Sequence, residues 1–441
     1  MSLETPDRIR TLRKKLYLKA KAEPDFRFYL LYDKVWRADI LEHAYELARD
    51  NRGAPGVDGV TFAAIELAGL EEWLSGIGKA LRDRSYRPDP VRRVMVPKPH
   101  GGERPLGIPT IRDRVVQTAT KLVIEPIIEA DLEPSAYGYR PRRSAGDAVE
   151  AVHELLNRGY TEVVDADLSR YFDTIPHDQL MRSVARRIVD KDILKLIKMW
   201  LKAPVEETDT DGKKRMTGGK RNKQGTPQGG VISPLLAKLY LNRFLKHWRL
   251  TEQGRKLKAH VIAYADNFVI LSRGYASEAK AWAQEVITRL GLSLNEAKTS
   301  LRDARREHFD FLGHSFGPHY SARTGRQYLG VSPSKKSVAR LKPRIAAILH
   351  RGNNEPWDRV CSKLNRVLKG WSGYFDHGTC TPAYRAIDNH VMLRVQHFLI
   401  KRHRVPSRGT TRFSRNTVFG ELGVVSLRAM QAVRPTPRAL R

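Results

Sequence analysis

Residues 261–271 read VIAYADNFVIL. Apolar β-formers run into Tyr264-Ala265-Asp266-Asn267 and four more apolar residues follow, a pattern that predicts a buried hairpin with an acid and an amide at its tip. Burying a carboxylate is costly unless a positive group sits on it. About a hundred residues upstream, VVDADLSRYFD carries Asp165, Asp167 and Asp173 on a second expected strand, where alternation puts Asp165 and Asp167 on one face. A single Asp at a strand end is usually a turn former or a salt-bridge partner. Two carboxylates from different elements meeting at the end of a sheet can instead hold a pair of Mg²⁺ ions about 3.5–4 Å apart, which activate a 3′-hydroxyl and steady a departing pyrophosphate. The pairing points to nucleotidyl transfer.

Composition narrows the partner. The chain of 441 residues has 79 Lys+Arg against 48 Asp+Glu, a net charge of +31, with basic residues spread from Arg8 to Arg441. A charge of that size and spread calls for a polyanion. The 41% of hydrophobic residues can build a real core, and the length allows two to four domains. Charged residues break every apolar run well short of the ~18 residues of a membrane span, and MSLETPDRIRTLRKK lacks a signal peptide's apolar segment, so no membrane partner and a cytoplasmic location are expected. Cys361 and Cys380, the two cysteines of the chain, rule out a disulfide framework and a four-cysteine zinc module.

Along the chain, periodicity predicts helices within 6–50 and near 67–83, a turn at 51–59 (NRGAPGVDG), extended chain around VRRVMVPKP and a glycine turn in HGGERPLGIP at 100–109. Helices are expected at 112–130 and 145–158, then a strand in YTEVVDADLS, with 208–225 a solvated loop. Three basic helices near 334–350, 357–372 and 382–403 suggest a helical module that contacts nucleic acid, followed by an aperiodic Arg-, Ser- and Thr-rich end.

Several motifs occur in one order: VPKPHGGERPLGIPTIRDRVVQ (96–117), SAYGYRPRRSAGDAV (135–149), DADLSRYFDTIPH, QGTPQGGVISPLLAKLYLN (224–242) and YADN. GLSLNEAKTSL (291–301), FDFLGHSFG (309–317) and LNRVLKGWSGYF (364–375) follow the same scheme, as do FYLLYDKV and NRGAPGVDGVT near the start. Together they resemble the reverse transcriptases encoded by bacterial group II introns, and the resemblance covers nearly the whole chain.

The resemblance implies an α+β right-hand polymerase. Its expected parts are an N-terminal extension and start of the fingers (1–85), fingers and palm (86–325), a helical thumb or maturase domain (326–403) and a short basic DNA-binding region (404–441). It implies an RNA template, a DNA primer or target, deoxynucleoside triphosphates and Mg²⁺. Asp167 and Asp266 match the metal-binding aspartates, and the backbone carbonyl of Leu168 would complete the site. Phe172 matches the aromatic residue beneath the sugar that would clash with a 2′-hydroxyl. Lys98 and Arg104 match the fingers cations on the triphosphate, where phosphoryl charge develops during transfer. Gln228 and Gly229 match the stretch that approaches nucleotide and template, and Lys298 a lysine near the leaving pyrophosphate.

The departure is Asn267, where the family usually carries a second aspartate. An Asn keeps the shape and an oxygen ligand but withholds a negative charge and adds an NH₂ donor. The family's second task is binding its own intron RNA to promote splicing and mobility. Segments 333–403 and 404–441 are the expected nucleic-acid contacts, with Trp371, Tyr374 and Phe375 either stacking on bases or facing a helical core. The tail SLRAMQAVRPTPRALR carries no HNH nuclease block, so the compact type without endonuclease is expected. Two other functions stay open: a non-catalytic splicing factor on a polymerase scaffold, which Asn267 favours, and a free-standing relative acting in DNA repair or phage defence.

Overall fold

The computed structural model describes residues 3–97, 102–208, 211–321, 323–405 and 411–433. The chain forms two compact units. One comprises Met1–Ser144, Ala166–Phe268 and Ser277–Ser300, the other Ala145–Asp165, Val269–Ala276 and Leu301–Arg441.

In the first unit, helices Asp7–Ala22 and Ala38–Asp50 pack on Ile111–Ala130. That third helix is buried around nearly its whole circumference, and it takes the polar Asp113, Arg114 and Gln117 inside together with Val115, Val116, Ile127 and Ile128. Thr110 caps it, its hydroxyl accepting from Asp113 N at 3.2 Å. Strands β1 (Val91–Pro97) and β2 (Glu103–Ile108) form the hairpin expected around the glycine turn, with Val96 opposite Arg104. β3 is Glu162–Asp167. β4 (Pro204–Thr208) and β5 (Lys214–Gly218) extend the first hairpin into a sheet ordered β2-β1-β4-β5. This corrects the solvated loop expected at 208–225. KRMTG is polar because it is an edge strand exposed along most of its length, and a half-solvated edge has no apolar alternation to reveal it. Strands β6 (Ala259–Tyr264) and β7 (Asn267–Ser272) are the opening hairpin. With β8 (Ser300–Asp303) they give the order β6-β7-β3-β8, in which β3, β7 and β8 each take residues from both units.

In the second unit β9 (Phe309–Phe311), β10 (His314–Tyr320) and β11 (Gln327–Pro333) form a sheet ordered β11-β10-β9. The domain boundary expected at 326 falls between β10 and β11, which pair from His314↔Pro333 to Tyr320↔Gln327. Helices Lys335–Ile348, Trp357–Tyr374 and Thr381–Arg402 match the three expected basic helices. They enclose a core of Leu341, Leu364, Leu368, Tyr384, Val391 and Leu399. Within the segment expected to be a basic end, the described residues Phe413, Val418, Val424 and Leu427 are buried in this core. Asp388 fastens that segment: fully buried, it accepts from Leu427 N at 2.8 Å and from the Ser426 hydroxyl at 2.8 Å. Trp371 and Phe375 are core residues too, which removes both as base-stacking groups. Tyr374 is exposed, but its hydroxyl donates to Leu312 O at 3.0 Å.

His314 lies buried beside Phe375, its Nδ1 donating to Leu312 O at 3.3 Å and its Nε2 without a partner. Burial pulls its pKa down from 6.5 to about 4. A base whose folded pKa is depressed stabilises the fold above its unfolded pKa, and that contribution is lost as pH falls toward the folded value, here at most about 3 kcal/mol. His314→Phe is therefore expected to flatten the loss of stability between pH 6.5 and about 4, read from urea unfolding at each pH. An unchanged pH slope would refute the assignment.

Candidate active site

The hairpin turn is Ala265-Asp266, with Ala265 in the left-handed region at φ 57°. A β-carbon there costs roughly 1–2 kcal/mol, so the turn must be held from outside, and two contacts hold it. Leu168 N, at the end of β3, donates to Asp266 O at 3.1 Å. On the other side, segment 135–138 of SAYGYRPRRS lies along β6: Ala263 N donates to Ser135 O at 2.9 Å and Tyr137 N to Ala263 O at 2.8 Å. Gly138 presses on the turn so closely that a Cβ there would lie 2.3 Å from Ala265 N.

This brings Asp167, Leu168, Asp266 and Asn267 together at the ends of β3 and the hairpin. Burial pushes the Asp266 carboxyl up, and the Asp167 charge adds to that, while Lys298 and the Asn267 amide oppose it. Asn267 Nδ2 donates to Asp266 Oδ1 at 3.2 Å. The exposed Lys298 reaches Asp167 Oδ2 at 2.6 Å. The lysine matched to the pyrophosphate thus rests on a carboxylate, supplying one positive charge to a pair that repels itself. The donor set of two carboxylates, the Asn267 amide oxygen and a backbone carbonyl is hard oxygen, which fits a divalent cation of the Mg²⁺ kind. Among the described residues no three His, Cys, Asp or Glu side chains gather for a metal.

Phe172, half-buried, follows Arg170, whose φ of 44° turns the chain from β3 into a short helix, Tyr171–Thr174. The ring makes edge-on contacts with Tyr171 at 5.8 Å and with Tyr139 at 6.5 Å. The TPQGG loop is pinned on two sides. Thr226 N donates to Phe172 O at 2.6 Å and Gly225 N to Ile175 O at 2.8 Å, while Gly107 N on β2 donates to Gln228 O. Gly229, at φ 107°, has no room for a Cβ, which would meet Gly107 O at 2.3 Å. Gln228 Nε2 donates to Asp173 at 3.2 Å. Arg104 is exposed on β2, near enough for its charge to lower the Tyr139 phenol that burial and Asp266 raise. Lys98 lies outside the described residues.

Sequence reasoning missed three participants. Asp173 was seen as one of three acids but not as the partner of Gln228. Tyr139 stood inside a quoted motif with no chemistry attached. Lys238 was hidden in the helix Ser233–Leu250 among Arg243, Lys246 and Arg249, so nothing in the sequence singled it out. Its buried ammonium donates to Tyr139 O at 2.9 Å and to Glu129 at 3.2 Å.

Two acids at the end of a sheet, a glycine-lined loop at hydrogen-bond distance from β2 and an aromatic ring beside the acids make this the palm of a right-hand polymerase. Residues 96–316 match the family "Reverse transcriptase (RNA-dependent DNA polymerase)" and residues 338–415 match "Group II intron, maturase-specific domain". Protein YkfC of Escherichia coli is 34% identical over 343 residues, covering 69% of this chain and 87% of that protein. The group II intron-encoded protein LtrA of Lactococcus lactis is 34% identical over 220 residues, covering 50% of this chain but 35% of LtrA. A 91 kDa protein encoded in the cob intron of Schizosaccharomyces pombe is 23% identical over 78% of this chain and 50% of its own length. The chain belongs to the group II intron reverse transcriptase and maturase family, whose polymerase members use divalent metal ions. No helix among the described residues is long and apolar enough to cross a membrane.

Proposed function

We propose that this chain is an RNA-directed DNA polymerase that extends a DNA primer on an RNA template with deoxynucleoside triphosphates, and that it also binds a group II intron RNA as a maturase. The observation that carries the polymerase reading is the bond from Leu168 N to Asp266 O, which joins the two acid-bearing elements at one point. Asp167, Asp266 and the Leu168 carbonyl would hold Mg²⁺, and bound there the ions supply activation of the 3′-hydroxyl and stabilisation of the leaving pyrophosphate. Asp266, raised by burial and by Asp167, is a carboxylate that gains from a nearby cation. Lys298 balances Asp167 until the phosphates arrive. Lys98 and Arg104 would grip the triphosphate, Phe172 would lie under the sugar and exclude a 2′-hydroxyl, and Gln228 and Gly229 would pass close to the incoming nucleotide.

The maturase reading rests on surface. The helix Lys335–Ile348 exposes Lys335, Lys336, Lys342 and Arg344. In the first unit a cleft of about 880 Å³ is lined by Arg27, Arg182, Arg186, Arg243, Lys246 and Arg289 against the acids Asp25 and Asp131. Residues 326–403 as thumb and 404–441 as DNA contact complete the proposed layout. A splicing factor without polymerase activity is the second reading, and the Asn267 donor aimed at Asp266 favours it.

Primer extension on an RNA template tests the polymerase; no extension at any Mg²⁺ concentration, with RNA still bound, would leave the second reading. For RNA binding, the logarithm of affinity is expected to fall with the logarithm of salt by roughly 0.7–0.9 per phosphate neutralised. Charge reversal of Lys335, Lys342 and Arg344 is expected to weaken intron RNA binding more than reversal of Lys213, Lys214 and Arg215 on the β4–β5 hairpin. A flat salt profile would remove the electrostatic argument, and equal effects of the two reversals would remove the thumb as the platform.

A further inference from the structure

Tyr139 holds a backbone conformation that bulky residues avoid, φ 57°, while the residue stays 46% exposed. Core packing therefore does not explain the strain. Three contacts impose it. Gly138 is pressed against the hairpin turn, and Tyr137 N is bound to Ala263 O. The Tyr139 carbonyl is held by Lys238, whose side chain is 3% exposed. Lys238 is in turn fixed by Glu129, which also accepts from Arg140 Nε at 2.7 Å, and Arg140 Nη1 donates to Ala136 O at 2.8 Å. A buried ion cluster on two helices thus fixes one strained residue beside the two aspartates. Strain kept at that expense marks a functional position.

The ring meets Phe172 edge-on at 6.5 Å and an interplanar angle of 77°. Phe172 also meets Tyr171 edge-on at 5.8 Å, and Tyr171 is buried with its hydroxyl donating to Ala237 O. We propose that Tyr139 is a positioning residue: it forms the second, outer stop for the Phe172 ring and thereby sets how strictly the site distinguishes deoxyribose from ribose. This rests on the polymerase reading above. With the outer stop removed, the Phe172 ring can rotate away from Tyr171 into open space, and a 2′-hydroxyl gains room. Edge-to-face contact needs only the ring, so the phenol oxygen is dispensable for this role.

The test needs no chemistry. A DNA primer ended with a dideoxynucleotide is annealed to an RNA template, and the complementary dATP or ATP is titrated for its ability to slow dissociation of the protein from the duplex. The ratio of the two half-saturating concentrations is the readout. Tyr139→Asn removes the ring with a residue that tolerates the left-handed region, and it is expected to lower the ratio at least about fivefold, ~1 kcal/mol. Tyr139→Phe is expected to stay close to the parent ratio. Because both rings act through one wall, Tyr139→Asn added to Phe172→Ala should change little beyond Phe172→Ala alone. A parent complex that dATP stabilises, combined with an unchanged ratio in Tyr139→Asn or full additivity with Phe172→Ala, overturns this inference alone. A parent complex that neither nucleotide stabilises overturns the polymerase reading and this inference with it.

Discussion

Asn267→Asp is expected to raise primer extension at least about tenfold, ~1.4 kcal/mol of transition-state stabilisation, and Asp266→Ala to abolish it in either background. The direction follows from the hydrogen bond at the tip. Asn267 Nδ2 now donates to Asp266 Oδ1 at 3.2 Å, so an NH₂ group occupies part of the carboxylate that a cation would use. Replacing it removes a donor and adds an anionic oxygen, the ligand that hard divalent cations favour. Without a cation the new charge would push Asp266 further up, since Asp167 already does so. The half-saturating Mg²⁺ concentration should therefore fall together with the rise in rate. RNA affinity should barely move, because one charge at a recessed turn is small against a net +31 spread over the chain. Asp266→Ala removes the ligand itself. Equal extension by Asn267 and Asn267→Asp proteins would show that one acid at this tip suffices.

The parts of this site that were legible in the sequence are those whose chemistry shows in local pattern. Asp266 and Asp167 stand out because acids interrupt apolar strands, and the hairpin β6–β7 because two apolar runs flank a short polar tip. The helices of the second unit were legible from apolar periodicity, to within a few residues at each end. What was not legible depends on partners far away in the chain. Lys238 looks like one basic residue among many until Glu129 and the Tyr139 carbonyl are seen around it. The strain at Tyr139 is invisible in a sequence that has no glycine at that position. β10 escaped notice because HSFGPHY contains Gly317 and Pro318 inside the strand, where neither is favoured, and β5 because an exposed edge has no apolar face. The burial of Phe413 and Val418 escaped for a related reason: four apolar residues spaced irregularly among arginines carry no period, yet each finds the core of helices that precede it.

Gly138→Ala is expected to lower extension by about 10²-fold, measured in the Asn267→Asp background so that loss is readable. A Cβ at this position would lie 2.3 Å from Ala265 N, 3.0 Å from Tyr264 C and 3.1 Å from Ala265 Cα. All three are backbone atoms that cannot rotate aside, and ordinary carbon contacts begin near ~3.5 Å, so segment and turn must part by roughly an ångström. Asp266 follows the turn, since its carbonyl is the acceptor for Leu168 N, and the two acids lose their register. Misplacing a reacting constellation by about 1 Å is enough for a loss of order 10²-fold. The effect is local: intron RNA affinity should stay near the parent value, and thermal unfolding should shift modestly, since the adjoining bonds of Ser135 and Tyr137 to β6 can persist. Gly76→Ala supplies the contrast. Gly76 lies exposed within helix Leu70–Arg82 with nothing within 4 Å of its would-be Cβ, so there the change should leave extension untouched and add up to about 1 kcal/mol of stability through helix propensity. Full extension by folded Gly138→Ala would mean that the turn carrying Asp266 does not need this contact, and the close approach would then be packing without consequence for the acids.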